Sequence, residues 1–400
     1  FKTNKITIRF TAPLSLETIA GRMLSASMLE TANQAYPTSQ AFRRYLASLY
    51  GTDISTSAYR RGQAHILDLT FTYVRDEFLS KKNVLTSRIL ELVKQTLFSP
   101  LVQDGAFEPA LFEIERKQLL TSLATDMDDS FYFAHKELDS LFFHDERLQL
   151  RYSDLRNSIS NESPESSYTC FQDALKNDRI DFFFLGDFNE VEVKEWLRSF
   201  SFTGRQVDVK PQYQQPYSNV LREGMIRKNV GQSVLELAYH CSTSYGDKHH
   251  LAMVVMNGLL GGFAHSKLFT NVRENAGLAY TISSQLDLFS GQLRMYAGID
   301  RGNRNQARKL MNHQLLELKK GNFTDLEIEQ TKEMIRRTLL LAQDSQTSLI
   351  ERVYLNSLLG KSTSDFDSWV EKLNQVDKEA ICKAANSVRL QAIYFMEGIE

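Results

Sequence analysis

The feature that most constrains this chain is an internal repeat. The segment from Ser39, SQAFRRYLASLYGTDISTSAYRRGQAHILDLTF, resembles the segment from Ser266, SKLFTNVRENAGLAYTISSQLDLFSGQLRMYAGI. Each reads as a short helix, a glycine (Gly51 or Gly277), a strand, a turn with a glycine (Gly62 or Gly291) and a second strand. Two further matches follow in the same order. FEIERKQLL from Phe112 pairs with LEIEQTKEMI from Leu326, and DFFFLGDF from Asp181 pairs with AIYFMEGI from Ala392. The offsets are 227, 214 and 211 residues, a steady shrinkage that a duplication with deletions in the second copy would give. Self-similarity of this kind marks a repeated structural unit, so the chain is expected to build one architecture twice.

The residues within each copy say which architecture. Ile6, Ile8 and Phe10 alternate, as do Leu67, Leu69, Phe71 and Tyr73, and Leu293, Met295, Ala297 and Ile299. A period of two marks strands with one buried face. Ile89, Leu90, Leu92 and Val93, and Leu111, Phe112, Glu115, Leu119 and Leu120, have helical spacing. Gly51 and Gly277 sit where helices should stop, because glycine takes the left-handed conformation cheaply. Helices and hairpin-like strands are mixed, which predicts an α+β fold of two homologous halves, each an antiparallel sheet with helices packed on one face. The stretch Ser201–Glu223 is polar, holds Pro211 and Pro216 and shows no period. It is expected to link a first half over residues 1–200 to a second over 224–400.

Composition removes several functions. A formal net charge of −2 without a block of like charges gives no nucleic-acid footprint. No apolar run approaches the roughly 20 residues that span a membrane, and no signal peptide opens the sequence. Phe1–Phe10 already reads as a strand, so the true N-terminus is expected to lie upstream. Cys170, Cys241 and Cys382 lie far apart, without metal-type spacing or a disulfide framework, which points to the cytoplasm. No phosphate-binding glycine loop occurs, and Gly258, Gly261 and Gly262 do not form one. The adjacent His249 and His250 cannot form the pair four apart on one helix face, and His240 with Cys241, or His144 with Asp145 and Glu146, could bind metal only with partners brought from far away in the sequence. These read as solvated or packed side chains; His265 lies in a more specific segment, and nothing assigns it a role.

That segment is GGFAHSKLFTNVRENAGLAYTISS, from Gly261 to Ser284. Ser266, Lys267, Leu268, Phe269, Val272, Arg273, Glu274, Gly277, Leu278, Ala279 and Tyr280 together resemble the C-terminal-half signature of the pitrilysin, or insulinase-like, zinc peptidases. The first half is similar to the same family at TANQAYPTSQAF and FFFLGDF, so the resemblance spans the chain. The family's catalytic motif is H-x-x-E-H on a first-half helix, with a later glutamate as third zinc ligand. Two histidines four apart can hold one zinc, and the glutamate can take a proton from zinc-bound water. Aligning Tyr36-Pro37 with the family's Y-P puts this motif at Met23, Leu24, Ser25, Ala26 and Ser27. Met23 and Ser27 then stand at the ligand positions, Ala26 at the base, and Ser122 near the third ligand. Methionine, serine and alanine make a poor zinc site, and no H-x-x-E-H or H-E-x-x-H occurs anywhere. The resemblance is therefore to a degenerate bacterial member that does not cut peptides by itself and carries no cofactor.

Arg273 and Tyr280 remain. The resemblance implies that they hold substrate peptide by hydrogen bonds; as residues alone, a surface arginine and a core-facing tyrosine serve as well. A guanidinium offers several donors to peptide carbonyls, and a phenol adds one. Some relatives work as two-chain enzymes, one chain with H-x-x-E-H and the other with the Arg/Tyr pair. The expectation is a non-catalytic, peptide-binding subunit of such a zinc endopeptidase, with zinc on the partner, in a heterodimer. The alternatives are a scaffold subunit that binds no peptide and a peptide-binding homodimer.

Overall fold

The computed structural model describes residues 1–80, 84–200, 202, 204–205, 207–360 and 366–399. The chain opens with β1 (Thr3–Pro13), α1 (Ile19–Thr31) and α2 (Ser39–Ser48), followed by the hairpin β2 (Asp53–Arg61) and β3 (Ala64–Val74). Then come α3 (Leu85–Phe98), the short strands β4 (Val102–Gln103) and β5 (Ala106–Phe107), α4 (Pro109–Asp126), α5 (Ser130–Phe142), α6 (Tyr152–Asn161), α7 (Pro164–Asn177), β6 (Arg179–Leu185) and α8 (Glu190–Arg198). The second half runs β7 (Arg222–Lys228), β8 (Ser233–His240), α9 (His250–Asn257), π-helical turns at Gly258–Gly262 and Phe269–Asn275, β9 (Ala279–Asp287) and β10 (Gln292–Ile299). It closes with α10 (Arg304–Lys320), α11 (Asp325–Ala342), α12 (Gln346–Leu358), α13 (Phe366–Asn374), α14 (Lys378–Ser387) and β11 (Arg389–Gly398). Of the expected linker, residues 201, 203 and 206 lie outside the described residues. Its described part holds no helix, and no strand before Arg222.

The repeat is visible in the sheets. The first has the order β2-β3-β1-β6, and the second contains the matching run β9-β10-β8-β11. Ile8 stands opposite Leu69 and Phe182; Leu237 stands opposite Met295 and Ile393. Phe182 and Ile393 are therefore equivalent, at the same 211-residue offset that matches DFFFLGDF to AIYFMEGI. The second sheet has one additional strand. β7 lies beside β11 and runs parallel to it, whereas the other pairs in the two sheets are antiparallel. The sequence reading expected antiparallel sheets throughout. The difference arises because β7 turns sharply into β8 at residues 229–232, while β11 inserts between them and runs opposite to β8.

Each sheet buries one alternating face against helices, as a period of two requires. In the first, Ile6, Ile8, Phe10, Leu69 and Phe71 pack with Ile89, Leu92 and Val93 of α3. In the second, Leu235, Leu237, Leu293 and Met295 pack with Met253 and Met256 of α9, Leu315 of α10 and Ile381 of α14. Gly51 and Gly277 both have positive φ, 72° and 60°, as expected of residues that end a helix.

The chain divides into two compact units whose membership departs from a cut near residue 200. One comprises Phe1–Ala124, Ser153–Pro211 and Gln346–Glu351; the other comprises Thr125–Tyr152, Gln212–Ser345 and Arg352–Glu400. The exchanged pieces follow buried charge. In the first unit, Arg9 lies on the β1 face opposite Ile8. It donates through Nε and Nη2 to Asp68, both at 2.7 Å, and through Nη1 to Glu351 of α12 at 2.8 Å. In the second unit α5 packs on β7, β8 and β11. Asp139 of α5 accepts from Arg294 at 2.6 Å and Gln292 at 3.1 Å, and His135 makes a short hydrogen bond to Glu236, which is 0% exposed. Burial pushes the Glu236 carboxyl above the usual range, against the pull of His135 and Arg294. Removing one member of such a cluster strands its partner without solvent. Asp139→Ala is expected to cost about 3 kcal/mol, measured as a lower urea midpoint with an unchanged slope.

Candidate functional site

The four degenerate positions fall on α1 and α4. α1 is built from small residues, and this lets α7 approach closely. A Cβ added at Gly21 would meet the Cys170 Cβ at 3.1 Å, and the Ser25 hydroxyl donates to Ser167 O at 2.8 Å and to Gly21 O at 2.7 Å. α7 is fixed in turn by Pro164 in its first turn and by a Ser163–Ser166 capping box. Ala26 is 3% exposed and faces a small space lined by Phe10, Leu29, Leu67, Phe171 and Ala174, together with Arg22, Ser25 and Cys170. Met23 and Ser27 are half-buried, and the Ser27 hydroxyl turns back to Met23 O at 3.4 Å. Ser122 is exposed on α4. A thioether, two hydroxyls and a methyl group do not fit zinc, which takes imidazole, thiolate or carboxylate. Among the described residues, no group of three or more His, Cys, Asp or Glu is placed to hold a metal.

Under α1 lies a polar network that spacing could not reveal. Arg22 is buried and donates to His65 Nδ1 at 2.9 Å, to Asp178 at 2.5 Å and to Phe10 O at 3.4 Å. Burial, then the charge of Arg22, hold the His65 pKa down at about 3. Burial pushes Asp178 upward despite the ion pair. At the other end of α1, Glu30 accepts from both the Thr56 amide (2.8 Å) and hydroxyl (2.6 Å) on edge strand β2. Glu115 of α4 lies near it, raised by burial first and by Glu30 among the charges. Arg22 thus ties α1 to His65 of β3 and to Asp178, and Glu30 ties it to β2.

Arg273 and Tyr280 are placed differently. Arg273 lies in the π-helical segment Phe269–Asn275, where the wider turn re-aims side chains. Its guanidinium carbon sits 4.6 Å from the Phe269 ring centre, its Nε is 3.8 Å from Glu274, and its side chain is 42% exposed. The segment ends as Gly277 N donates to Arg273 O and Leu278 N to Val272 O. β9 then begins at the edge of the second sheet. Gly298 pairs with Thr281 and Ile299 with Ala279, so Tyr280 is the extra residue of a β-bulge. Bulges turn side chains out of the pleat, and Tyr280 is 62% exposed. This overturns the possibility of a core-facing tyrosine. The Tyr280 hydroxyl donates to Asp300, at 3.3 Å to one oxygen and 3.5 Å to the other. No sequence signal pointed to the bulge or to Asp300, because both depend on register between β9 and β10. Chemically, this surface offers guanidinium donors, a phenol and an edge strand, which suits an extended peptide and lacks a nucleophile–base pair. His265, by contrast, stacks on Phe263 and contacts Thr331 at 2.9 Å, a packing role.

Comparison with known proteins places the chain among inactive metallopeptidase homologues. Residues 161–335 match the family described as "Peptidase M16 inactive domain". The chain is 27% identical over 401 residues to the "Probable inactive metalloprotease YmfF" of Bacillus subtilis, covering 100% of this chain and 94% of that protein. It is 28% identical over 193 residues to the "Uncharacterized zinc protease YmxG" of the same organism, covering 48% of this chain and 46% of that one. Among solved structures, a conserved protein from Enterococcus faecalis V583 superposes with a TM-score of 0.93 at 34% identity, covering 100% of this chain and 94% of that one. Among the described residues, no helix is long and apolar enough to cross a membrane.

The buried His65 gives a pH prediction. A histidine held near 3 in the folded state and near 6.5 unfolded binds its proton only on unfolding in that window. Its stabilisation is complete above about pH 6.5 and is lost as pH falls toward 3. In urea titrations from pH 7 to 4, His65→Asn should lose stability less steeply than the native chain.

Proposed function

Since the chain belongs to the insulinase-like, or M16, peptidase family as a degenerate member, we propose that it is the peptide-binding, non-catalytic subunit of a two-chain zinc endopeptidase. The observation that carries this reading is an asymmetry. On α1, Ala26 is buried beside Phe171 and Ala174 of α7, and Met23 and Ser27 offer only a thioether and a hydroxyl that bonds back to its own helix, whereas Arg273 and Tyr280 are exposed on a π-turn and a bulge. Neither irregular element serves packing of the exposed side chain it carries, and both are more frequent beside functional sites. Arg273 would donate to peptide carbonyls, with Phe269 beneath it to limit its motion, and Tyr280 would supply the second polar contact. The partner would be a homologous chain bearing H-x-x-E-H, and zinc would reside there, where it supplies the activated water. Three free cysteines suit a reducing compartment, so the cytoplasm is the proposed location.

The test is reconstitution with an H-x-x-E-H homologue from the same genome. The mixture should cleave an unstructured peptide, zinc should accompany the partner alone, and Arg273→Ala in this chain should lower kcat/KM about 30-fold, from about 2 kcal/mol of lost transition-state binding. Activity of the homologue that does not change on adding this chain rejects the proposal, and a stable zinc-free, inactive assembly would instead support the scaffold reading.

A further inference from the structure

Asp300 occupies a place that the Arg/Tyr pair alone does not explain. It follows the last residue of β10, and its carbonyl accepts from Asn303 N at 3.0 Å as the chain turns. The backbone of Asp300 is thus fixed while its carboxylate projects beside the bulged Tyr280. The contacts to the Tyr280 hydroxyl, 3.3 and 3.5 Å, are long for O–H···O bonds, so both carboxylate oxygens keep acceptor capacity. Among the described residues no cation pairs with Asp300, and Asp300 is exposed along with its neighbour Arg301. What sets Asp300 apart is its place: its carboxylate stands beside the outward Tyr280 hydroxyl with acceptor capacity to spare.

We propose that Asp300 is a specificity-determining residue that receives a cationic or N–H donor group of the bound peptide, beside Tyr280, while Arg273 receives carbonyl oxygen. The inference rests on the peptide-binding reading above and deepens it, by giving the site two polarities. Tyr280 is unpaired between Thr281, opposite Gly298, and Ala279, opposite Ile299, so it lies beside the end of β10, which Asp300 follows. The peptide class so defined is basic at the end that meets Asp300. An acidic side chain there would meet like charge, which costs affinity rather than merely failing to add it.

The experiment uses the full chain and two fluorescein-labelled, unstructured nonapeptides that differ only in carrying lysine or glutamate at alternate positions. Affinities are read by fluorescence anisotropy at low salt for the native chain, Asp300→Ala, Asp300→Asn and Arg273→Ala. The native chain should bind the lysine peptide about tenfold tighter than the glutamate peptide. Asp300→Ala and Asp300→Asn should bring the two affinities within about twofold of each other, and Arg273→Ala should weaken both while leaving their ratio. A preference for lysine that survives in both Asp300 variants, or its absence in the native chain when Arg273 still matters, overturns the role of Asp300 alone. Binding of neither peptide by the native chain overturns the peptide-binding reading, and this inference with it.

Discussion

Each sheet of this protein buries charge on the face away from its main apolar core, and everything else is arranged to neutralise it. Arg9 and Asp68 satisfy one another across β1 and β3, and Glu351 supplies the remaining acceptor. Arg294 and Glu236 on the second sheet are met by Asp139 and His135. Charges of this kind cost several kcal/mol to desolvate, so each sheet face is stable only when a complementary helix covers it. That requirement draws α5 into the second unit and the first turn of α12 into the first, and so fixes which residues belong to which compact body. The apolar cores alone would not specify these memberships, because a hydrophobic face accepts any helix of suitable shape.

The repeat, the strands and their buried faces were legible in the sequence, because alternation and glycine position are local signals. Ile6, Ile8 and Phe10 announce a half-buried strand whatever surrounds them, and Gly277 announces a helix end. The exchange of α5 and α12 was not legible. Nothing in Ser130–Phe142 says which of two similar sheets it will cover; that depends on Asp139 meeting Arg294, 155 residues away. The parallel strand β7 escaped for a similar reason, since its neighbour β11 lies at the far end of the chain.

At the candidate site the same division holds. Arg273 and Tyr280 were found through a contiguous motif, and the loss of zinc ligands through an aligned one. The π-turn, the bulge and Asp300 were hidden, because each is a property of backbone path and register rather than of residue type. On α1, small residues and a buried arginine hold the helix in place. Gly21, Ser25 and Ala26 now let α1 lie close to α7, and Arg22 ties the helix to β3 and to the end of α7 through His65 and Asp178.

The link between Arg9 and Glu351 spans 342 residues. During synthesis the first sheet is complete once β6 has emerged, with Asp68 already opposite Arg9, yet the second acid that meets Arg9 is still unmade. At about 5–20 residues per second, the roughly 160 residues between β6 and Glu351 take about 8 to 30 s. For that time the nascent chain carries a formed sheet with the Arg9 Nη1 donor unmet, and its first unit reaches its final form only after Glu351 has emerged.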